Sequence, residues 1–292
     1  QGTDVGRETV CGRKNGRGKL LRTLLKKAAL MKMRAVVVEA TKCPKPGYVF
    51  SDYEERTGFA RYGSSVWKDP VYEVREVEVP VPGPDEVLIR VKACGICGSD
   101  GHVYHTGADG YIGLNWWTSF PCTPGHEFAG VVAEVGAAVT RFRPGDNVTA
   151  EEMQYCGKCD ACRTYHFNCC SSLREPGLTV PGAMAQYIVA NERFVWNIDA
   201  IIGAYGEKDG FEIGALVEPT GIAYNATIVK TGGVRPGCYG AVFGAGPIGL
   251  GCIALMRQAG AAKIFAFEMN PGRRELARKF GADHIYTPAD LA

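Results

Sequence analysis

The sequence predicts an α/β protein in which a mostly-β part is followed by a partial doubly wound parallel sheet. Two observations predict this order. Between residues 86 and 150, short alternating apolar segments are separated by Pro and Gly turns, as is typical of antiparallel strands. After Gly232, an apolar strand, a glycine turn, an apolar helix and a second apolar strand form the pattern of a βαβ unit. The 292 residues are enough for two domains.

The first part is predicted to begin with a strand in "MKMRAVVVEA", which starts at Met31. The next predicted strand, "EVLIRVKA" at 86–93, follows the turn-forming "PGPD" and alternates apolar with polar residues. "GVVAEVG" at 130–136 and "GDNVTA" at 145–150 continue the series. These segments predict a mostly-β domain.

Three strands are predicted in the second part, near residues 239–243, 263–268 and 284–286. The helix after the first of them has one apolar stripe, formed by Ile248, Cys252, Met256 and Ala259. The helix after the second strand has an N-cap, a proline in its first turn and a glycine stop, which are Asn270, Pro271 and Gly281.

A helical linker, "TGIAYNATIVK" at 220–230, is predicted to join the two parts. The predicted domains are residues 31–225, which hold the candidate metal ligands, and residues 226–292, which bind a dinucleotide. The second domain contains only the first half of a doubly wound sheet. This favours reading the chain as a fragment of a longer open reading frame, and we expect the fragment alone to be inactive.

Residues 1–30 form a basic leader. Residues 1–34 carry ten of the 33 Lys and Arg but two of the 31 Asp and Glu, so the remainder is mildly acidic. A nucleic-acid arm and a mitochondrial presequence are two interpretations of such a segment. The chain begins with Gln, and Met31 or Met33 resembles a natural start, which favours upstream sequence outside the fold.

The sequence lacks the features of a membrane or secreted protein. No run reaches the roughly 18 apolar residues that span a bilayer, and the N-terminus has no secretory signal. We therefore expect a soluble cytoplasmic protein with a small-molecule substrate and neither a membrane nor a nucleic acid as its partner.

Five cysteines fall within the sixteen residues of "YCGKCDACRTYHFNCC". Cys156, Cys159, Cys162 and Cys170 could surround a tetrahedral zinc ion with no vacant position, and Cys169 is an alternative fourth ligand. An iron–sulfur cluster is the second possibility, although its usual spacing continues differently after the third cysteine. In a reducing compartment, such clustering favours a metal over disulfides.

A second candidate metal group is dispersed over two segments. "ACGICGSDGH" supplies Cys97, and "PGHEFAG" supplies His126 and Glu127. This mixed sulfur, nitrogen and oxygen set could hold zinc with one position open. Taken singly, a cysteine is more often a small buried apolar residue and a histidine a hydrogen-bonded structural one.

The glycine turn of the βαβ unit predicts a dinucleotide site. Gly244, Gly246 and Gly249 form G-x-G-x-x-G between a strand and a helix, so that the backbone can approach a pyrophosphate at the helix N-terminus. Glu268 ends the next strand, where an acidic side chain would bind the adenosine ribose and repel a 2′-phosphate. The sequence therefore favours NAD over NADP.

Five motifs together resemble the zinc-dependent medium-chain dehydrogenase/reductases, the alcohol and polyol dehydrogenases. They are "GICGSDGH", "PGHEFAGVVAEVG", the four-cysteine loop, "GALVEPTG" and "GAGPIG", in that order. The resemblance covers nearly all of residues 33–292. It implies an N-terminal GroES-like domain and a C-terminal Rossmann domain, with one catalytic and one structural zinc. "GHE" with "VEP" is similar to the polyol branch.

The resemblance also assigns residue roles. Cys97 and His126 match catalytic zinc ligands, and no cysteine lies at 215–220 to act as the third, which leaves Glu127, with Glu218 beside it or exchanging with it. Ser99 would take the alcohol proton and His102 would pass it to solvent. The alternatives are a helix cap at Ser99 and a surface role for His102. The family positions that touch the cofactor are Pro247, Ile248 and Arg273.

The implied activity is transfer of a hydride from a secondary alcohol of a polyol or cyclitol to NAD. The alternatives are a threonine, butanediol or simple alcohol dehydrogenase, a non-catalytic zinc- and nucleotide-binding relative, and an iron–sulfur carrier. The resemblance implies a homodimer or homotetramer for the full-length protein. Tyr111, Trp116 and Trp117, between the two ligand segments, are candidates for a wall of the substrate pocket; an aromatic core or subunit interface is the alternative.

Overall fold

The computed structural model of the protein describes residues 31–291. The predicted leader at 1–30 lies outside the described residues. Among the described helices, none is long and apolar enough to cross a membrane.

The first part contains seven strands and five helices. Two strands, β1 and β2, form an antiparallel pair, and the other five form an antiparallel sheet in the order β6-β3-β4-β5-β7. The strands are β1 (Lys32–Lys42), β2 (Trp67–Glu78), β3 (Glu86–Cys94), β4 (Phe128–Val135), β5 (Asn147–Ala150), β6 (Tyr187–Asn191) and β7 (Val195–Asn197). The helices are α1 (Asp52–Thr57), α2 (Gly98–Tyr104), α3 (Asp160–Arg163), α4 (Asp199–Ala215) and α5 (Val217–Tyr224).

The five-stranded sheet encloses the main core of this part. The predicted alternation in β3 places Val87 and Ile89 in full burial, where they pack with Phe128 and Val132 of β4. The register pairs Cys94, at the end of β3, with Phe128, at the start of β4. The end of β3 and the start of β4 therefore lie side by side at the same end of the sheet. The candidate catalytic metal ligands lie there.

The second part is a three-stranded parallel sheet in the order β10-β9-β8, with two helices. Its elements are β8 (Tyr239–Phe243), α6 (Pro247–Gln258), β9 (Lys263–Phe267), α7 (Pro271–Phe280) and β10 (His284–Tyr286). These bounds match the predicted elements closely. The caps of α7 are as predicted, because the Asn270 side chain accepts from Arg273 N–H and Gly281 adopts a left-handed conformation (φ 113°).

The predicted apolar stripe of α6 is wrong in part. Cys252 and Met256 pack against the sheet, but the fully buried residue is Ile253, whereas Ile248 is 37% exposed. Ile248 lies in the first turn of α6, beside the glycine loop, so it is not covered by the sheet. The linker is helical as predicted: α5 ends at Tyr224 and is followed by a π-helical turn at Asn225–Val229.

Candidate active site and metal centres

Two neighbouring inner strands of the sheet, β3 and β4, place the candidate ligands Cys97, His126 and Glu127. Cys97 follows β3 as the N-cap residue of α2, and His126 and Glu127 immediately precede β4. Their candidate ligand atoms all lie within 4.8 Å of one another. His126 is buried, and Cys97 and Glu127 are half-buried. The two dispersed segments therefore meet in one site.

Two glycines permit this close approach. The N–H of Gly95 donates to the Glu127 carbonyl at 2.6 Å, and a Cβ at Gly95 would lie 2.5 Å from the Glu127 carboxylate. Gly125 adopts a left-handed conformation (φ +93°), and a Cβ there would lie 2.8 Å from Cys94 Sγ. A side chain at either position would push the ligand loops apart.

Several buried or half-buried carboxyl groups lie near His126. Glu152 Oε1 lies 3.5 Å from His126 Nδ1, and burial raises the pKa of Glu152 to about 7. Burial also raises the pKa values of Glu127, Glu175 and Glu218, and the charge of His126 opposes each of these shifts. His126 Nδ1 itself has no hydrogen-bond partner among the described residues.

The donor set fits a zinc ion. Cysteine, histidine and carboxylate are the residues that bind catalytic zinc, and three of them here are close enough to share one ion. A cation would also offset the concentration of acidic groups in a buried place. Glu218, at the start of α5, lies outside the three-residue group, although it is near enough for the charges of His126 and Glu127 to act on its pKa.

Ser99 and His102 lie on α2, directly after Cys97. The helix begins at Gly98, so Ser99 is inside the first turn and is not the cap residue. Ser99 Oγ is buried and has no hydrogen-bond partner within the described part of the chain. His102, one turn further on the same helix, is exposed. This arrangement provides a buried hydroxyl beside the candidate ligands and a solvent-facing imidazole three residues away.

The four predicted cysteines of the loop form a separate group. The Sγ atoms of Cys156, Cys159, Cys162 and Cys170 lie within 4.8 Å of one another, whereas Cys169 is exposed and outside the group. Two of the sulfur separations are 3.5 Å and 3.9 Å. Tetrahedral zinc with Zn–S bonds of about 2.3 Å would place its sulfurs about 3.8 Å apart. These separations fit a zinc ion.

Backbone amides of the loop point at the sulfurs. The N–H groups of Lys158 and Cys159 donate to Cys156 Sγ at 3.5 and 3.4 Å, and that of Ser172 donates to Cys170 Sγ at 3.3 Å. Such donors favour the thiolate form, and they are the first causes of a lowered pKa at Cys156. Backbone amides also lower the pKa of Cys159, to about 6, whereas burial raises the pKa values of Cys162 and Cys170. A bound cation would therefore be needed to hold all four sulfurs as thiolates.

The glycine loop after β8 has the backbone of a nucleotide site. Gly244 adopts a left-handed conformation (φ +88°), Gly246 is the N-cap of α6, and Pro247 is the first helical residue. A Cβ at Gly249 would lie 2.0 Å from the Gly244 carbonyl oxygen, so the turn requires glycine there. The free N–H groups at the start of α6 are directed at the space where a pyrophosphate would bind.

Glu268 follows β9 and lies against the glycine loop. Its Oε2 accepts from Ala245 N–H at 2.8 Å, and its Oε1 accepts from Asn270 N–H at 2.7 Å. These two amides lower the pKa of Glu268, which is therefore ionised at neutral pH. Ile248 and Arg273, the other predicted cofactor residues, are exposed on α6 and α7.

Comparison with known proteins identifies the same family that the sequence motifs resemble. Residues 83–200 match the model of the alcohol dehydrogenase GroES-like domain. The scyllo-inosose 3-dehydrogenase of Thermotoga maritima is 43% identical over 265 residues, which are 88% of this chain and 67% of that protein. The chain belongs to the zinc-dependent medium-chain dehydrogenase/reductase family.

Other members of this family are also similar. The L-threonine 3-dehydrogenase of Caldanaerobacter subterraneus is 42% identical, over 74% of this chain and 58% of that protein. A solved Thermotoga maritima structure assigned as an alcohol dehydrogenase superimposes with a TM-score of 0.82, at 43% identity, over 88% of this chain and 67% of that one. The chain thus spans about two thirds or less of the length of these relatives.

Family membership confirms the predicted fold class, a GroES-like domain followed by part of a Rossmann sheet. The family uses zinc and a nicotinamide cofactor, and its members oxidise or reduce at CH–OH groups. The individual residue roles remain predictions, as do the domain boundaries at 31–225 and 226–292.

Sequence reasoning missed three acidic residues near the site. Glu152 lies two residues before Gln154, and Glu175 directly follows Arg174; Gln154 and Arg174 are hydrogen-bonded to each other, which brings the two segments together. Asp100 is buried in α2, where its Oδ2 accepts from Cys97 N–H at 2.9 Å. Glu152 is the second residue after the predicted strand at 145–150, and that position was its only sequence signal. Glu175 had none, because its burial depends on contacts distant in sequence.

Proposed function

We propose that the protein oxidises a secondary alcohol group of a polyol or cyclitol and transfers the hydride to NAD. The observation that carries the proposal is the convergence of Cys97, His126 and Glu127 within 4.8 Å, beside an unpartnered hydroxyl at Ser99. The similarity to the Thermotoga scyllo-inosose 3-dehydrogenase, which extends over 88% of the chain, supports a polyol as the substrate.

Cys97, His126 and Glu127 would hold the catalytic zinc, which supplies Lewis acidity that makes a substrate hydroxyl easier to deprotonate. Ser99 Oγ, which is buried, would accept a hydrogen bond from the substrate hydroxyl and release its own proton as it takes the proton of the substrate. His102 lies on the same face of α2, three residues later, and is exposed, so it can pass the proton to water. Glu218 lies beside this group and orients what binds there.

The cofactor is NAD in this proposal. The carboxylate of Glu268 is ionised and lies beside the glycine loop, where it would accept hydrogen bonds from the adenosine ribose and repel a 2′-phosphate. Gly244, Gly246 and Gly249 leave room for the pyrophosphate. The four cysteines of the loop would hold a second, structural zinc that takes no part in the reaction.

The test is NADH formation by the full-length protein with a panel of polyols, inositols, inososes, threonine and ethanol. We expect a polyol or cyclitol to give the highest kcat/KM and Cys97→Ser to abolish turnover. A preference for threonine would instead support the second candidate, which the Caldanaerobacter relative suggests. A preference for ethanol would contradict the proposal.

The same assay tests the cofactor. We expect NAD to exceed NADP in kcat/KM and Glu268→Ala to narrow the difference, because the repulsion of the 2′-phosphate is lost. Glu268→Gln keeps the acceptor for Ala245 N–H and removes the charge, so it separates charge from loop geometry. Equal use of both cofactors by the unmodified protein would contradict this part. A cytoplasmic location and a homodimer or homotetramer stay predictions.

A further inference from the structure

A cleft of about 890 Å³ lies between the cysteine loop and the segment that joins Cys97 to His126 in the sequence. Its size is within the range of about 300–1,000 Å³ that is usual for small-molecule sites. Trp116, Trp117 and Tyr53 supply its aromatic wall, and Glu175 and Thr179 line it from a different segment.

Trp116 is exposed in this cleft but is held in place. Its side chain is 42% exposed, while its indole Nε1 donates to Glu175 Oε1 at 2.8 Å. Glu175 is 3% exposed, and its second oxygen has no hydrogen-bond partner among residues 31–291. Burial raises the pKa of Glu175, so its position costs free energy. The hydrogen bond that this buried carboxyl group accepts from Trp116 fixes the orientation of an exposed aromatic ring.

The segment that contains Glu175 is attached both to the Trp116 segment and to the His126 loop. Ser119 N–H donates to the Leu178 carbonyl at 3.0 Å, and Ser119 Oγ donates to the Thr179 carbonyl at 3.2 Å. On the other side, Gly182 N–H donates to the Thr123 carbonyl at 2.7 Å. Backbone hydrogen bonds therefore fix Trp116 and Glu175 relative to the residues just before His126.

The contact with the His126 loop is close. A Cβ at Gly177 would lie 2.8 Å from Gly125 N, and a Cβ at Gly182 would lie 2.2 Å from the Gly125 carbonyl oxygen. The charge of His126 also acts on Glu175, and that of Glu175 on Glu152. The aromatic ring in the cleft and the candidate catalytic group thus belong to one framework.

A cyclic polyol has the chemistry that such a surface recognises. The C–H groups of a six-membered ring form an apolar face, and its hydroxyl groups lie around the edge. An aromatic ring packs well against the apolar face, and a rigidly held aromatic side chain loses little entropy on binding. A small alcohol has no such face and would gain little from the same surface.

We propose that Trp116 is the platform on which the ring of a cyclic polyol stacks, and that Glu175 is a positioning residue that fixes the indole for this contact. The proposal rests on the proposed function and adds a residue that determines substrate specificity, in a cleft that Glu175 connects to the candidate catalytic group. Trp116 touches the substrate, whereas Glu175 acts only through Trp116.

The test measures kcat and KM of the full-length protein for myo-inositol and 2-propanol, together with calorimetric binding of myo-inositol to the zinc-loaded protein. Trp116→Ala is expected to raise KM and Kd for myo-inositol about five- to tenfold and to raise KM for 2-propanol by a much smaller factor. Trp116→Phe should retain part of the affinity. Glu175→Leu should weaken myo-inositol binding about threefold, and Glu175→Gln should restore it, because the amide oxygen accepts the same hydrogen bond.

The matched control is Trp196→Ala. Trp196 is 50% exposed and donates from its indole to Glu151 at 2.9 Å, but it borders a different cavity, beside Glu218. We expect this variant to bind myo-inositol as the unmodified protein does. A loss with Trp196→Ala instead of Trp116→Ala would place the ring in the other cavity and overturn the proposal.

Zinc content and thermal stability show whether each variant is folded. If the unmodified protein binds myo-inositol and folded Trp116→Ala binds it equally well, the stacking proposal is wrong and the proposed function stands. If the unmodified protein neither binds nor oxidises any polyol, the proposed function fails, and this proposal fails with it. Equal losses in Glu175→Gln and Glu175→Leu would overturn the positioning role of Glu175.

Discussion

The residues around His126 form an electrostatically unbalanced group. Glu127, Glu152, Glu175 and Glu218 all have pKa values raised by burial, and His126 is the basic side chain that opposes these shifts. Such an arrangement costs free energy when the carboxyl groups are ionised and no cation is bound. A divalent cation bound at this site would offset the cost.

The pH dependence of stability follows from Glu152. Its pKa rises from an ordinary 4.5 to about 7 in the folded chain, so between these values the folded state binds more protons than the unfolded state. The contribution of Glu152 to the stability of the zinc-free protein is therefore greatest below pH 4.5. This contribution is lost as the pH rises to 7. The full effect is on the order of 3 kcal/mol, since a rise of about 2.5 in the pKa corresponds to about 1.4 kcal/mol per unit.

Urea unfolding of chelator-treated protein at pH 5.5 and pH 7.5 measures this effect, with Glu152→Gln as the control. We expect the unmodified protein to lose stability between the two pH values and Glu152→Gln to lose less. Added zinc should stabilise more at the higher pH, because its ligands must be deprotonated. If both proteins lost the same free energy of unfolding between pH 5.5 and pH 7.5, the raised pKa assigned to Glu152 would be contradicted.

The cysteine loop is the element with the most specialised local structure. Its N-terminal end is held by Arg193, whose guanidinium lies 4.7 Å from the Tyr155 ring and donates to the Tyr155 carbonyl. The same guanidinium lies 4.6 Å from the ring of Phe194. The loop has only a small apolar cluster of its own, around Leu173. We therefore expect a short loop of this kind to depend on a bound metal for its stability.

Cys159→Ser tests this dependence. We expect it to lower the free energy of unfolding by about 3–5 kcal/mol, because loss of one ligand removes the metal that holds the loop. Cys169→Ser is the matched control, since Cys169 is exposed and outside the group. Thermal and urea unfolding measure both variants. Unchanged stability in Cys159→Ser would refute a structural role for the metal.

Elements with simple local signals were predicted well from the sequence. β8, β9 and β10 are short apolar strands bounded by glycine or polar residues, and α7 has both caps in its sequence. The helix α4 was missed, because Gly206 adopts φ 78° within it, and its apolar residues do not form one clear face. Its burial of Phe211 and Ala215 depends on the neighbouring β-sheet.

The site was predictable to the extent that its residues lie in ordered motifs. The four loop cysteines have a spacing that predicts ligands, and Cys97 and His126 lie in motifs that resemble those of the family. The structure brings each group together. Glu152 and Glu175 have no such spacing. Their position beside His126 results from the pairing of Gln154 with Arg174, a contact between distant segments that periodicity does not encode.

At the scale of the whole molecule, two metal groups with different surroundings lie in the same antiparallel β domain. One is formed by four thiols in a single loop, and the other by a mixed donor set at the edge where β3 and β4 meet. The parallel sheet adds the glycine loop and Glu268 on separate elements. This division predicts that the two metals can be removed independently.

Zinc content per chain, measured by elemental analysis of the unmodified protein, Cys97→Ser and Cys159→Ser, tests the central claim most directly. The account predicts about two zinc ions in the unmodified protein and about one in each variant, with the fold retained in Cys97→Ser and weakened in Cys159→Ser. A single zinc in the unmodified protein, or two in folded Cys97→Ser, would contradict it.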